Sequence, residues 1–234
     1  MFPNLTLAIL ISRLIALLIG TTFHEYMHNY VGYLMGDNTP AAQGRLTLDP
    51  RKHIYWPGLL MFVILGFGIL GTAPIDAGAM SYPRVKWAKN LSRTQRFGLS
   101  VLAGPVGNLI VAVVFAIPIR ILLGAAPQIF SINLVPANPN LFPSVGQVLY
   151  DLVFWNVLLF VFNLVPLGPL DGRYILRMFL PPNLEYPYED FQNRYGLIIL
   201  FGLIIITFVI PQLNIFGVLI GEPTTAITRL LLGI

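Results

Sequence analysis

The sequence predicts an all-α polytopic membrane protein with about four to six membrane-embedded helices, a re-entrant hairpin and a short β segment near residues 43–48. Three observations carry that expectation. Hydrophobic residues fill 56% of the 234 positions and charged residues 10%, where a soluble domain carries about 25% charged residues. Several apolar runs approach the ~20 residues that cross a bilayer. Most of the Lys and Arg side chains fall between those runs, where they act as topology signals. That placement makes the lipid bilayer the expected partner and excludes nucleic acid, although the formal charge is +4. There are no cysteines, so disulfides and thiolate metal sites are excluded and any metal must use His, Asp, Glu or Asn.

In chain order, residues 5–35 read as one long helix, retained and not cleaved as a signal peptide. Arg13 lies inside it and either snorkels or meets a polar partner. Gly36-Asp37-Asn38-Thr39-Pro40 supplies breaker residues that end the helix. Gln43 to Leu48 alternates polar and apolar, which suggests the short strand. His53 follows among basic neighbours and reads as structural. Residues 57–73 are apolar but short, and Gly66, Gly68 and Gly71 weaken a straight helix there. The second clear span is 97–123, with Gly104-Pro105-Val106-Gly107-Asn108 in its first half. Pro and Gly inside a span are tolerated where backbones pack closely or line a cavity. Residues 124–147 contain four prolines and no charge, and read as a loop.

The third span, 148–165, breaks at Asn163-Leu164-Val165-Pro166-Leu167-Gly168-Pro169-Leu170-Asp171-Gly172. A broken helix in an apolar region lines a functional cavity. Asp171 would open the next helical piece, where a helix N-terminus favours a carboxylate. Residues 195–210 form a fourth span, and 212–234 either cross or lie against the bundle. The chain reads as a single integral-membrane domain over 1–234, with a core at 5–180 and accessory C-terminal helices at 195–234.

The chemistry concentrates in His24-Glu25-Tyr26-Met27-His28, an H-E-x-x-H pattern inside the first apolar run. Residues four apart share a helix face, so His24 and His28 can hold one Zn²⁺ with Glu25 beside it as a candidate general base. The pattern alone also arises by chance. Idle charges are costly inside a membrane, which favours a functional reading. Such a site needs a third protein ligand. Asp171 is the one acidic residue at the edge of a broken span. Asp76, near the basic loop, is the weaker choice.

Four segments together carry a resemblance: H-E-Y-M-H at 24–28, G-R-L-T-L-D-P at 44–50, A-G-P-V-G-N at 103–108 and N-L-V-P-L-G-P-L-D-G at 163–172. In this order the chain resembles the site-2 protease family of intramembrane zinc metalloproteases, over roughly residues 5–180. It is similar to the compact members that lack PDZ or CBS domains. The resemblance implies that His24, His28 and Asp171 bind one zinc ion and that Glu25 is the base. It implies that Asn163 contacts the substrate backbone or the oxyanion, and that Asn108 lines the same cavity. The 43–48 segment would be the edge strand offered to an unwound substrate. The implied partner is a transmembrane protein substrate, cut in regulated intramembrane proteolysis. The implied location is a prokaryotic cell membrane, in a multi-pass protein with its site open to the cytosol. Two other readings use the same residues. A metal-ion transporter lacks support from inverted repeats and leaves Glu25 without a purpose. A non-catalytic, protease-like binding protein sits poorly with an intact H-E-x-x-H and D-G.

Basic residues flank 57–73 on both sides: Arg45, Arg51 and Lys52 before it, and Arg84, Lys86, Lys89, Arg93 and Arg96 after it. A crossing would send one set outside, against the positive-inside rule. The segment is therefore expected to dip in and return. Single cysteines at Lys52, Lys89 and Asn138, labelled from one face of sealed vesicles, should place the first two together and Asn138 opposite. Labelling of positions 52 and 89 from opposite faces would overturn the re-entrant topology.

Overall fold

The structure, a computed structural model, describes residues 6–59, 70–125 and 142–234. Helix α1 spans Leu7–Leu34. Thr6 caps it, its hydroxyl accepting the Ile9 amide at 3.3 Å. Helix α2 spans Arg93–Ala125. Ser92 and Gln95 satisfy each other's backbone N–H groups at its start, at 3.1 and 3.0 Å, a reciprocal capping box. Helix α3 spans Val145–Asn163 and is capped by Ser144.

These three helices form the bundle that carries the site. Small residues let them approach, as membrane helices require where no hydrophobic effect drives association. Ala16 and Leu17 of α1 bury against Leu152 and Trp155 of α3. Ala112, Ala116 and Ile119 of α2 bury against Val153, Val157 and Val161 of α3. Arg13 finds its partner in α3: its guanidinium stands 5.3 Å over the Trp155 ring, within the field of the buried Asp151 carboxylate.

After α3 the chain turns through Leu164–Leu170 into the short helix α4, Gly172–Arg177. Helix α5, Pro182–Phe191, then runs through a π-helical turn, Gln192–Gly196, into α6, Leu197–Val209. Four helical stretches among the described residues are long and apolar enough to cross a membrane: Leu7–Leu34, Arg93–Gly124, Val145–Asn163 and Pro182–Thr207. The tail lies against the bundle. Ile220, and Leu232 of helix α7 (Glu222–Leu232), bury in the same cluster as Ile119, Val153 and Val157.

The β segment expected at 43–48 is not a strand. Thr39–Ala42 is a helical turn, and Gly44 follows with φ of 63°, in the left-handed region. The Arg45 amide then closes back on the Pro40 carbonyl at 2.8 Å. The chain bends where six alternating residues suggested a straight run. Among the described residues the isolated bridge is antiparallel, between Ile54 and Gly71.

That bridge bears on the re-entrant segment. Residues 60–69 lie outside the described residues, as does most of the 124–147 loop. The two ends of 57–73 are nevertheless side by side: Tyr55 N–H donates to Leu70 O at 2.9 Å, and Thr72 N–H to His53 O at 3.2 Å. A crossing would hold those ends about 30 Å apart. Arg45 adds a second tie, donating to Thr72 O at 2.7 Å. His53 has the structural role expected of it. It is 1% exposed, and its Nε2–H donates to Thr47 O at 2.6 Å, while burial pushes its pKa below the usual range. Arg96 is not a free loop charge. It is buried and donates to Leu91 O and Met80 O at 3.1 and 2.6 Å, which fastens the loop after residue 73 to α2.

Candidate metal centre

His24 and His28 lie one turn apart on the buried face of α1. The backbone turn after α3 brings Asp171 to them. Their ligand atoms converge: Nε2 to Nε2 is 2.8 Å, and Asp171 Oδ2 lies 3.2 Å from His24 Nε2 and 3.4 Å from His28 Nε2. Tetrahedral zinc with bonds near 2.0–2.1 Å would separate its ligands by about 3.3 Å.

The hydrogen bonds behind the rings determine what the three atoms offer. His28 Nδ1 faces Ser100 O at 3.0 Å, an acceptor only, so Nδ1 carries the proton. His24 Nδ1 faces Asn108 Oδ1 at 2.6 Å. The network assigns the orientation of that amide. Asn108 Nδ2 donates to Gly20 O at 3.0 Å and to Asn156 Oδ1 at 2.9 Å, while Asn156 Nδ2 donates to Leu152 O at 2.8 Å. Asn108 Oδ1 is therefore an acceptor, and His24 Nδ1 must donate to it. With both rings protonated at Nδ1, both Nε2 atoms present lone pairs. Asp171 Oδ2 is buried and, among the described residues, receives no hydrogen bond. Three electron-rich atoms face one point with no proton assigned between them. That donor set fits a cation, and the hydrogen bonds behind the imidazoles are the kind that orient metal ligands.

The neighbouring helix must come very near to supply those bonds. A Cβ at Gly104 would overlap the His28 ring and lie 2.8 Å from His24 Nε2. Only glycine lets α2 cross α1 at that height. Glu25, 7% exposed, lies beside the ligands and against Gly71 of the hairpin neck. A cavity of about 390 Å³ opens in front of them, lined among others by Glu25, Gly71, Thr72, Asn163 and Asp171.

The six expected site residues thus divide. His24, His28, Asp171 and Glu25 come together, and Asn163 lines the same cavity, its amide at present donating to Leu159 O at 3.0 Å. Asn108 does not line it. It is fully buried behind His24, both ends of its amide occupied, because the helix crossing at Gly104 places it on the far side of the ring. Asp76, the weaker ligand candidate, caps a 3₁₀ turn at Ala77–Ala79 instead. Sequence reasoning did not single out Asn156. As an amide at membrane depth in an otherwise apolar span, it carried the same signal as Asn108. Nothing in the sequence marks Ser100, which acts through its carbonyl.

Two substitutions probe this arrangement. Asn108→Ala removes the acceptor for His24 Nδ1–H and should weaken zinc binding about 10–100-fold, as loss of such partners does, measured by chelator competition. Gly104→Ala should lose the metal altogether, because its methyl would occupy the space of the His28 ring. Unaltered zinc content in Gly104→Ala would show that the two helices do not meet as described.

The comparisons with known proteins agree with this geometry. The chain is 31% identical over 191 residues to "Putative zinc metalloprotease YwhC" of Bacillus subtilis, covering 82% of this chain and 78% of that one. It is 30% identical over 203 residues to "Putative zinc metalloprotease Rip2" of Mycobacterium tuberculosis, covering 86% of this chain and 68% of the relative. The Mycolicibacterium smegmatis protein of the same name is 27% identical over 197 residues, 84% of this chain and 66% of its own length. No family model matches the chain. No solved structure matches it. A multi-pass helical bundle, a zinc-fitting donor set beside a glutamate, and relatives named as zinc metalloproteases together place this chain in the site-2 protease family of membrane zinc metalloproteases.

Proposed function

We propose that this protein is an intramembrane zinc endopeptidase that hydrolyses peptide bonds in or near the transmembrane segments of membrane proteins, as in regulated intramembrane proteolysis. The observation that carries the reading is the convergence of His24, His28 and Asp171 beside Glu25, in a cavity inside a bundle of apolar helices.

His24, His28 and Asp171 would hold the ion. Zinc, when bound, supplies Lewis acidity, which brings the pKa of a bound water to about 7 and polarises a carbonyl. Glu25 accepts the proton of the attacking water and delivers it to the departing amine. The enclosing helices exclude bulk water, so each charge in the cavity acts through a low dielectric. Asn163, which lines the cavity, would turn its amide from Leu159 O toward the developing oxyanion. Loss of one such donor costs about 10²–10³ in rate.

A transmembrane substrate is helical, and its carbonyls are already hydrogen-bonded. It must unwind before attack. The candidate template is the hairpin neck and not residues 43–48. Gly71 and Thr72 line the cavity, and among the described residues the amide and carbonyl of Gly71 make no backbone hydrogen bond. An unwound strand laid along this edge would recover hydrogen bonds lost from its helix. The basic residues at the hairpin end of the bundle support a cytosolic opening in a prokaryotic cell membrane.

Glu25→Gln keeps the shape of the side chain and removes the base. It should retain zinc and lose zinc-dependent cleavage of a transmembrane substrate in detergent. Asn163→Ala should retain zinc and turn over about 10²–10³ more slowly. Full cleavage by Glu25→Gln would refute the assigned chemistry, and undiminished turnover in Asn163→Ala would remove that residue from it.

A further inference from the structure

The three proposed ligands are not held alike. Each histidine has a hydrogen bond behind its ring. Among the described residues Asp171 Oδ2 receives no hydrogen bond, and the Asp171 side chain makes no capping bond to α4. Its position is set by the backbone that brings it in, the turn Leu164–Leu170. That turn is held from outside the motif core. Gln192, 4% exposed, accepts the Gly168 N–H on Oε1 at 2.9 Å and donates from Nε2 to Pro166 O at 2.8 Å. One side-chain amide thus satisfies a donor and an acceptor on the same turn, groups that would be costly to leave buried and unpaired.

The local backbone of the fourth span is built for this reach. Gln192 opens the π-helical turn Gln192–Gly196, an irregularity that is rare and is found mostly where a helix serves a site. At its other end Gly196 lets the turn close down, since a Cβ there would lie 3.0 Å from Gly168 N. The stretch after Asp171 is tied to the same segment. Arg177 pairs with Glu189 at 2.8 Å, Arg173 donates to Asn193 Oδ1 at 2.6 Å, and Tyr188 donates to Arg173 O at 3.0 Å. Asp171 is therefore bracketed, with Pro166 and Gly168 before it and Arg173 and Arg177 after it, all fastened to α5 and the π turn. The ionic ties are partly exposed, and such pairs contribute little. The buried amide is the stronger hold.

We infer that Gln192 is a positioning residue for the metal centre: it fixes the Pro166–Gly168 turn that delivers Asp171, and so makes the fourth span a working part of the site. This rests on the reading of Asp171 as a metal ligand. Gln192 touches neither substrate nor ion.

The test uses the full-length protein in detergent, with zinc affinity measured by chelator competition and ligand geometry by the visible spectrum of bound Co²⁺. Gln192→Met preserves size and apolar packing but makes neither hydrogen bond. It should weaken zinc about 10–100-fold, in the range found when partners behind metal ligands are removed, and should alter the Co²⁺ bands. Gln192→Glu, kept neutral by burial, can accept from Gly168 N–H on its carbonyl oxygen and donate from its hydroxyl to Pro166 O, so its loss should be smaller. Arg194→Gln breaks the exposed pair with Asp190 and should match the wild type. A role confined to stability would lower the melting temperature of Gln192→Met while leaving zinc affinity and the Co²⁺ spectrum unchanged, and that result overturns the inference. Asp171→Ala separates the two levels. If it binds zinc as tightly as the wild type, the ligand assignment falls and this inference with it. If it loses zinc while Gln192→Met does not, only the role of Gln192 falls.

Discussion

Two imidazole nitrogens 2.8 Å apart, each offering a lone pair, with a carboxylate oxygen within 3.4 Å of both, repel one another unless a cation lies among them. Much of the bundle can be understood as the means of enforcing that arrangement. The proton on each ring is kept at Nδ1 by an acceptor on α2. Asn108, one of those acceptors, is itself oriented by Asn156 on α3 and by the Gly20 carbonyl on α1. A fully connected polar network of this kind is favourable inside a membrane only because each member is satisfied. Removing one amide would leave the others unpaired where no water reaches them.

The legible part of the fold was the part written in long-range periodicity and composition. The four spans follow from apolar length, and the end of α1 from Gly36 to Pro40. The local alternation at 43–48 misled because six residues carry little signal, and the left-handed Gly44 decides the backbone there. The closeness of the two ends of 57–73 agrees with the charge placement, which led to the expectation that Arg45 and Lys52 on one side and Arg84 onward on the other share a membrane face. Its antiparallel pairing involves backbone groups, to which side-chain patterning is blind.

The candidate site shows the same division. The H-E-x-x-H spacing places two candidate ligands and Glu25 on one helix turn, so a local pattern suffices for them. Asp171 could be found because a carboxylate at a broken span is rare. Asn108 was recognisable as important, but its side of the cavity was not, because that depends on where α2 crosses α1, and the crossing depends on the missing side chain of Gly104. Gln192 was illegible for another reason. It acts through a π turn, a one-residue irregularity of backbone that leaves no trace in hydrophobic periodicity.

The spread of the centre along the chain also has a consequence for biosynthesis. His24 and Asp171 are separated by about 150 residues, which a ribosome working at roughly 5–20 residues per second takes on the order of ten seconds or more to add. Throughout that interval the first helix and its H-E-x-x-H face exist without the carboxylate that completes the centre. The nascent chain is in this way incomplete by connectivity: no full candidate donor set exists until the third helix and the turn beyond it have been made and packed against the first.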